Sequence, residues 1–235
     1  EAISGARPLG MGKAYTAAAD DVNSIFLNPA GLAFTRNFGM SLGGTSVLHD
    51  TENTIFGIFF AGSREAIGIG IAGVNTWTPL TGAPTREPVT GRVITLEVAP
   101  YKYSSYVGLL SYGVMLGKYM DLPIIRDTSF GISFKGFFNQ IESTEEVING
   151  SGFDIDWGMI YRAGSWLKLG IYGQNALLEE NGGKLIWLSE NGYEEPIPPS
   201  YRAGLSMKLL GNNGMFNAGQ DLYFNFDAEQ SITIK

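Results

Sequence analysis

The side chains in this sequence that could do chemistry are few and far apart. Asp154 and Asp156 stand two residues apart in FDIDW, which puts both carboxylates on one face of an extended strand. Such a pair can hold a cation or divide acid and base roles, and it can equally be two charges on a wall. GMGKAY, residues 10–15, resembles a phosphate loop only in part. Arg7 stands where the pattern needs its first glycine, and Ala14 where it needs Ser or Thr. The single histidine, His49, lies in a turn-like HDTEN with no nucleophile beside it, so it reads as an exposed loop residue. There is no cysteine, which removes thiol catalysis, disulfides and thiolate-bound zinc. These residues assemble no catalytic centre, cofactor site or metal site, and the sequence reads as that of a non-enzyme.

The elements that must carry these residues are strands. SFGISFKGFFNQ sets Phe130, Ile132, Phe134 and Phe138 against Ser129, Gly131, Ser133, Lys135 and Asn139. YRAGLSMKLL, WLKLGIYGQN and AIGIGIAG alternate in the same way. The spacing predicts strands near 38–48, 54–61, 66–76, 104–116, 128–141, 153–163, 166–175, 200–209 and 215–226. GRVITLEVAP (91–100) is left inside a long excursion. The charges Lys135, Asp156, Arg162, Lys168, Arg202, Lys208 and Asp221 then fall on the mixed polar face, and the other face is apolar. A soluble sandwich would alternate equally well, but three features favour a bilayer. Many of the segments reach the ~9–11 residues of a membrane-crossing strand. Short connections (62–65, 164–165, 210–214) also take turns with long ones (77–103, 142–152, 176–199), as in membrane barrels. Trp157, Tyr161, Trp166, Tyr201, Tyr106 and Tyr112 lie near the expected strand ends, where interfacial aromatics gather. If Phe134 and Leu169 face lipid, Arg there should harm assembly far more than Arg at Ser133 or Gln174.

Composition agrees with this. Hydrophobic residues make up 44% and charged residues 17% of 235, and glycine occurs 32 times. A disordered chain would be charge-rich and poor in aromatics. The net charge of −7 argues against a nucleic-acid partner. No run of 18 apolar residues could form a membrane-spanning helix. Nine strands cannot close a barrel of even count, and the final SITIK looks like a strand beginning, so the sequence is expected to show only part of a barrel.

Residues 1–36 differ in style. GARPLGMGKAYTAAADDVNSIFLNPAGLAF resembles the N-terminal region of the FadL-like outer-membrane transport superfamily, especially its PorV/PorQ-type and related uncharacterised branches. The similarity rests on Leu9-Gly10-Met11-Gly12, Ala14-Tyr15, Ala19-Asp20-Asp21 and Asn28-Pro29-Ala30-Gly31-Leu32. Lys13 and Leu27 depart from it, standing where a small residue and an aromatic are common. The resemblance implies an all-β, antiparallel transmembrane β-barrel, of 14 strands when complete, in the bacterial outer membrane. Residues 1–36 would be a hatch inside the lumen and 37–235 an incomplete barrel. Gly10 and Gly12 would allow tight turns and close approach to the wall, Asp20, Asp21 or Asn23 would cap a short helix, and Pro29 would limit it.

The implied function is binding or passage of hydrophobic, fatty-acid-like small molecules, with Phe26, Leu27 and Leu32 as pocket residues. In the alternative, PorV-like reading the barrel binds an envelope or secretion protein through the excursions 77–103 and 176–199. A structural barrel that tethers the envelope is a third possibility. The partners are outer-membrane lipid and either a hydrophobic molecule or such a protein.

Overall fold

A computed structural model describes residues 5–47, 51–78, 85–86, 93–94, 101–143, 146–188 and 192–232. His49 and most of the 77–103 excursion lie outside the described residues. The strands are β1 (Phe38–Val47), β2 (Thr51–Ala61), β3 (Glu65–Thr78), β4 (Thr85–Arg86), β5 (Val93–Ile94), β6 (Tyr101–Met115), β7 (Thr128–Glu142), β8 (Val147–Arg162), β9 (Leu167–Gln174), β10 (Lys184–Leu188), β11 (Tyr193–Pro196), β12 (Ser200–Leu210) and β13 (Leu222–Ser231). Eleven form one sheet along the path β1-β2-β3-β6-β7-β8-β9-β12-β13, with β10 and β11 attached to β8. All these strand pairings are antiparallel. β4 and β5 pair only with each other, which keeps 93–94 in the excursion and off the wall. Among the described residues the sheet is open between β1 and β13.

The alternation decides which way each face points. Phe134 and Phe138 are 57% and 63% exposed, whereas Ser129 and Ser133 on the same strand are fully buried. Leu42, Phe60, Ile69, Leu110, Phe153 and Phe226 also face outward on neighbouring strands. Burying apolar side chains is worth ~25 cal/mol per Å² in water. A sheet that buries its serines and displays its phenylalanines is therefore inside out for an aqueous setting.

The inner face is covered by the N-terminal segment, which holds α1 (Ala6–Gly10), α2 (Ser24–Leu27) and a 3-10 turn over Pro29–Phe34. Pro29 opens that turn, where its missing N–H costs nothing. Tyr15, Ala19, Ile25, Phe26, Ala30 and Leu32 form a core with Ile55, Phe59, Leu109 and Ile160 of the wall. The segment touches strands from β2, at Gly57, to β13, at Asp227. Those strands are seven steps apart in the sheet, ~34 Å if it were flat. One compact segment reaches both because the wall curves around it.

Four expectations change. The expected long connection 142–152 shrinks to 143–146 between β7 and β8, so the alternation of short and long connections fails there. The predicted strand 215–226 is β13 at Leu222–Ser231, and its connection is the longer 211–221. Asp221 therefore stands in that connection, half exposed, and not on a wall strand. The excursion 176–199 contains the β10–β11 hairpin, which extends the wall beside β8. β8 begins at Val147, so Trp157 lies well inside its strand.

Candidate functional site

The segment is held by a small set of polar contacts. Arg7 bridges Asp20 and Asp21 at 2.6 and 2.7 Å. Asp21 also accepts hydrogen bonds from the Tyr15 hydroxyl at 2.5 Å and from the backbone N–H and side-chain amide of Asn23. Burial works against its charge, but the bonds from Tyr15, Arg7 and Asn23 outweigh this and hold the carboxyl below its ordinary range. Burial and the neighbouring Asp21 push the Tyr15 hydroxyl upward. Neither Asp20 nor Asp21 caps α2. Asn23 occupies that position without a side-chain cap; Asn28 caps the 3-10 turn that follows, its Oδ1 accepting from Ala30 N. Asn28 Nδ2 donates to Thr16 O at 2.8 Å, tying two turns of the segment together. Asp227 of β13 accepts from the backbone N–H of Tyr15 and Thr16 at 2.9 and 2.8 Å.

The wall makes room for this segment with glycines. A Cβ on Gly131 would lie 2.2 Å from Ala30 N, one on Gly113 2.5 Å from Pro29 O, and one on Gly158 1.9 Å from Asn28 Oδ1. These three are cross-strand neighbours on β6, β7 and β8. Gly170 and Gly204, paired across β9 and β12, seat Thr16 and Ala17 in the same way. Gly10 and Gly12 make no such approach: a Cβ on either meets nothing within 4 Å. Gly12 serves the turn instead, with φ at +61°.

On the excursion side of the segment lies a cavity of about 300 Å³. Its apolar lining includes Phe26, Val107, Phe137, Leu185 and Ile197, and its polar lining includes Lys135, Asn139 and Asp156. Phe26 alone of the three expected pocket residues borders it; Leu27 and Leu32 are packed in the core. Lys135 Nζ lies 2.6 Å from Asp156 Oδ1 and also donates to Asn175 Oδ1. Asp156 accepts from Tyr172 Oη at 2.6 Å and from Asn175 N at 2.8 Å. Asp154 accepts from the backbone N–H of Ile155 and Leu177, and its other oxygen is buried without a partner. Both carboxylates sit where β8 changes neighbour, from β9 at 157–162 to β10 at 149–153. They fasten the chain leaving β9 at the point where it turns into the excursion. Among the described residues no three metal-ligating side chains converge.

Arg162, Lys168 and Lys208 stand at the opposite end, whereas Arg202 is in register with Tyr172 on the Asp156 side. Arg162 and Lys168 lie over the Phe34 ring and line a cavity of about 990 Å³ with Arg36, Arg64 and Arg126. Lys168 reaches Asp20 at 3.5 Å. Arg202 pairs with Glu229 at 3.0 Å and Lys208 with Asp221 at 2.9 Å. The expected charges thus form separate pairs, not one site. Asn139, Tyr172, Asn175 and Asp227 were missing from the expected set. Asn139, Tyr172 and Asp227 share their faces with other polar residues of β7, β9 and β13, and Asn175 lies just beyond β9, so no sequence signal set them apart.

No protein-family model and no curated protein matches the chain. Among solved structures, a TodX deltaS2S3 mutant, a monoaromatic hydrocarbon channel, is similar with 11% sequence identity and a TM-score of 0.48. The alignment covers 83% of this chain and 66% of that one, so the chain spans just under two-thirds of the channel's length.

Proposed function

We propose that this chain is an outer-membrane barrel of the FadL type, with residues 1–36 as hatch and 37–235 as wall, and that it passes hydrophobic small molecules. The observation that carries this reading is the inverted sheet: apolar side chains such as Phe134, Phe138 and Leu42 face out, and the polar inner face is sealed by an apolar-cored segment. Such an outer face suits hydrocarbon and is costly in water. The cavity beside Phe26 gives a hydrophobic solute a place to rest, at the lower end of the ~300–1,000 Å³ of small-molecule sites. A closed wall of fourteen strands belongs to this proposal. The alternative role, capture of an envelope or secretion protein, needs apolar excursion residues turned outward. In the 176–199 excursion Trp187 and Ile197 are buried and Leu185 lines the cavity, so one side of it is a cover, while Leu178, Leu188 and Tyr193 are turned outward and are the observation that this second reading rests on. Native mass spectrometry of the protein extracted gently from its own membranes tests this. A retained hydrophobic small molecule supports passage, and a stoichiometric protein partner with no such molecule overturns it.

A further inference from the structure

The connection from β6 to β7 holds a 3-10 turn (Leu116–Lys118) and one helical turn, α3 (Pro123–Arg126). Its own bonds keep it in shape. Met120 N donates to Leu116 O at 3.1 Å, Arg126 N to Leu122 O at 2.8 Å, and Thr128 Oγ1 to Ile124 O at 2.8 Å. Arg64 Nη1 ties it to the β2–β3 turn through Gly117 O at 3.2 Å. Even so, Tyr119 and Ile124 are 66% exposed, and Met120 and Leu122 56%. The open edges of the sheet do not account for this, because β6 and β7 are flanked by β3 and β8. An internally bonded loop that displays a run of large apolar side chains marks a binding surface.

Two features say what covers it. The first is its junction with the wall. Tyr112, on the outward face of β6, donates to Glu65 at 2.7 Å, and Glu65 pairs with Lys118 at 2.6 Å. The Lys118 ammonium lies 5.7 Å from the Tyr119 ring centroid. This row carries the apolar outer face of Leu110 and Phe134 into the connection through residue types that favour a membrane–water boundary. The second feature is direction. Arg126 lines the large cavity inside the wall. Ile124, two residues back on the same helical turn, stands ~200° around from it and so faces away from the lumen.

Resting on the outer-membrane reading above, we infer that this connection is an interfacial foot on the bilayer. Met120, Leu122 and Ile124 lie in the headgroup–acyl boundary at the end opposite the excursions, and Tyr112, Lys118 and Tyr119 stand at its polar edge. Interfacial segments sink an apolar face ~5–10 Å in this way.

The chain has no cysteine, so single substitutions can each carry an environment-sensitive dye on the full chain in lipid nanodiscs. Lipid with a nitroxide just below its headgroup should quench the dyes at Ile124→Cys and Leu122→Cys by about half or more. Aqueous iodide should quench them at least ~3-fold less than a dye at Ser63→Cys, in the β2–β3 turn at the same end. Phe134→Cys, on the outer face of β7, reports on the wall itself through a nitroxide at the lipid chain end. If the Phe134 dye is quenched but lipid nitroxide leaves the Ile124 and Leu122 dyes bright, the foot is overturned and the barrel stays in its bilayer. Lipid quenching at Ser63 as strong as at Ile124 has the same meaning, because the whole end is then immersed. A Phe134 dye that no lipid nitroxide reaches overturns the foot and the outer-membrane reading together. Two foot positions are labelled so that one remains if the other variant fails to assemble.

Discussion

The glycine seat makes a quantitative claim that a pair of alanines can test. In Gly131→Ala the new methyl would lie 2.2 Å from Ala30 N and Pro29 C. Ordinary contact begins near 3.4 Å, so the segment must withdraw by more than an ångström. The obstructing atoms are backbone and cannot swing aside. Overpacking of this kind costs ~1–3 kcal/mol. Withdrawal also strains the Asn28 bonds to Thr16 O and Ala30 N, each worth ~0.5–1.5 kcal/mol. A total of ~2–4 kcal/mol shifts the docked-to-undocked ratio by ~30- to 1,000-fold. The control lies on the same two strands. Gly108 and Gly136 are cross-strand partners whose added methyls meet nothing within 4 Å and only the Phe138 ring, at 3.5 Å, respectively. The chain has no cysteine, so a single Ala33→Cys, at a buried position of the segment, gives a clean maleimide-labelling reporter. In nanodiscs, Gly131→Ala and Gly113→Ala should raise the labelling rate at least ~30-fold, and Gly108→Ala and Gly136→Ala less than ~3-fold. Equal acceleration by both pairs, or none by Gly131→Ala, would refute the idea that these glycines exist to seat the segment.

Three further outcomes are expected. Phe134→Arg should impair assembly by ~2–4 kcal/mol, read from heat-modifiable gel mobility, whereas Gln174→Arg on the inner face should be tolerated. Lys135→Met should destabilise the fold by ~3–5 kcal/mol because it strands Asp156, and adding Asp156→Leu should recover much of that loss in urea titration. Because the Asp21 carboxyl is held below its ordinary value, its contribution is complete above the unfolded value of 3.8 and is lost as pH falls through the folded one. Protease cleavage within residues 5–36 should therefore rise on acidification below about pH 4, and Asp21→Asn should show high cleavage already at neutral pH with little further acid response.

Much of the wall was legible because alternation is a local signal. Phe130, Ile132 and Phe134 against Ser129, Gly131 and Ser133 need no distant partner to be read. What the pattern could not reveal is what each inner residue meets. Ser133 looked like a tolerant inner position, yet it is fully buried and hydrogen-bonded to Ser111 at 2.7 Å, so it is no control for an arginine scan. Gly131 was legible only as one residue of the inner face, and the approach of Pro29 and Ala30 shows it to be a seat. The β10–β11 hairpin was invisible for a different reason. KLIWL is short and set among glycines and acidic residues, and its strand state comes from pairing with β8, which is long-range. Among the inner charges, sequence gave the face, while the partners (Asn175, Tyr172, Glu229) lie one or more strands away.

The bonds from Tyr15 and Thr16 to Asp227 span more than two hundred residues of chain. Contacts so distant close late, because the chain between them must be ordered first. The portion of this chain synthesised first therefore completes its structure only when β13 is in place. Until then the seat that β9, β12 and β13 give Thr16 and Ala17 is unfinished, although β2, β3 and β6 already offer cover to Ile25, Phe26 and Leu32. During biogenesis the first-made end therefore docks on one side before the other, and delivery of a half-seated N-terminus to an unfinished wall becomes the vulnerable step in making the protein.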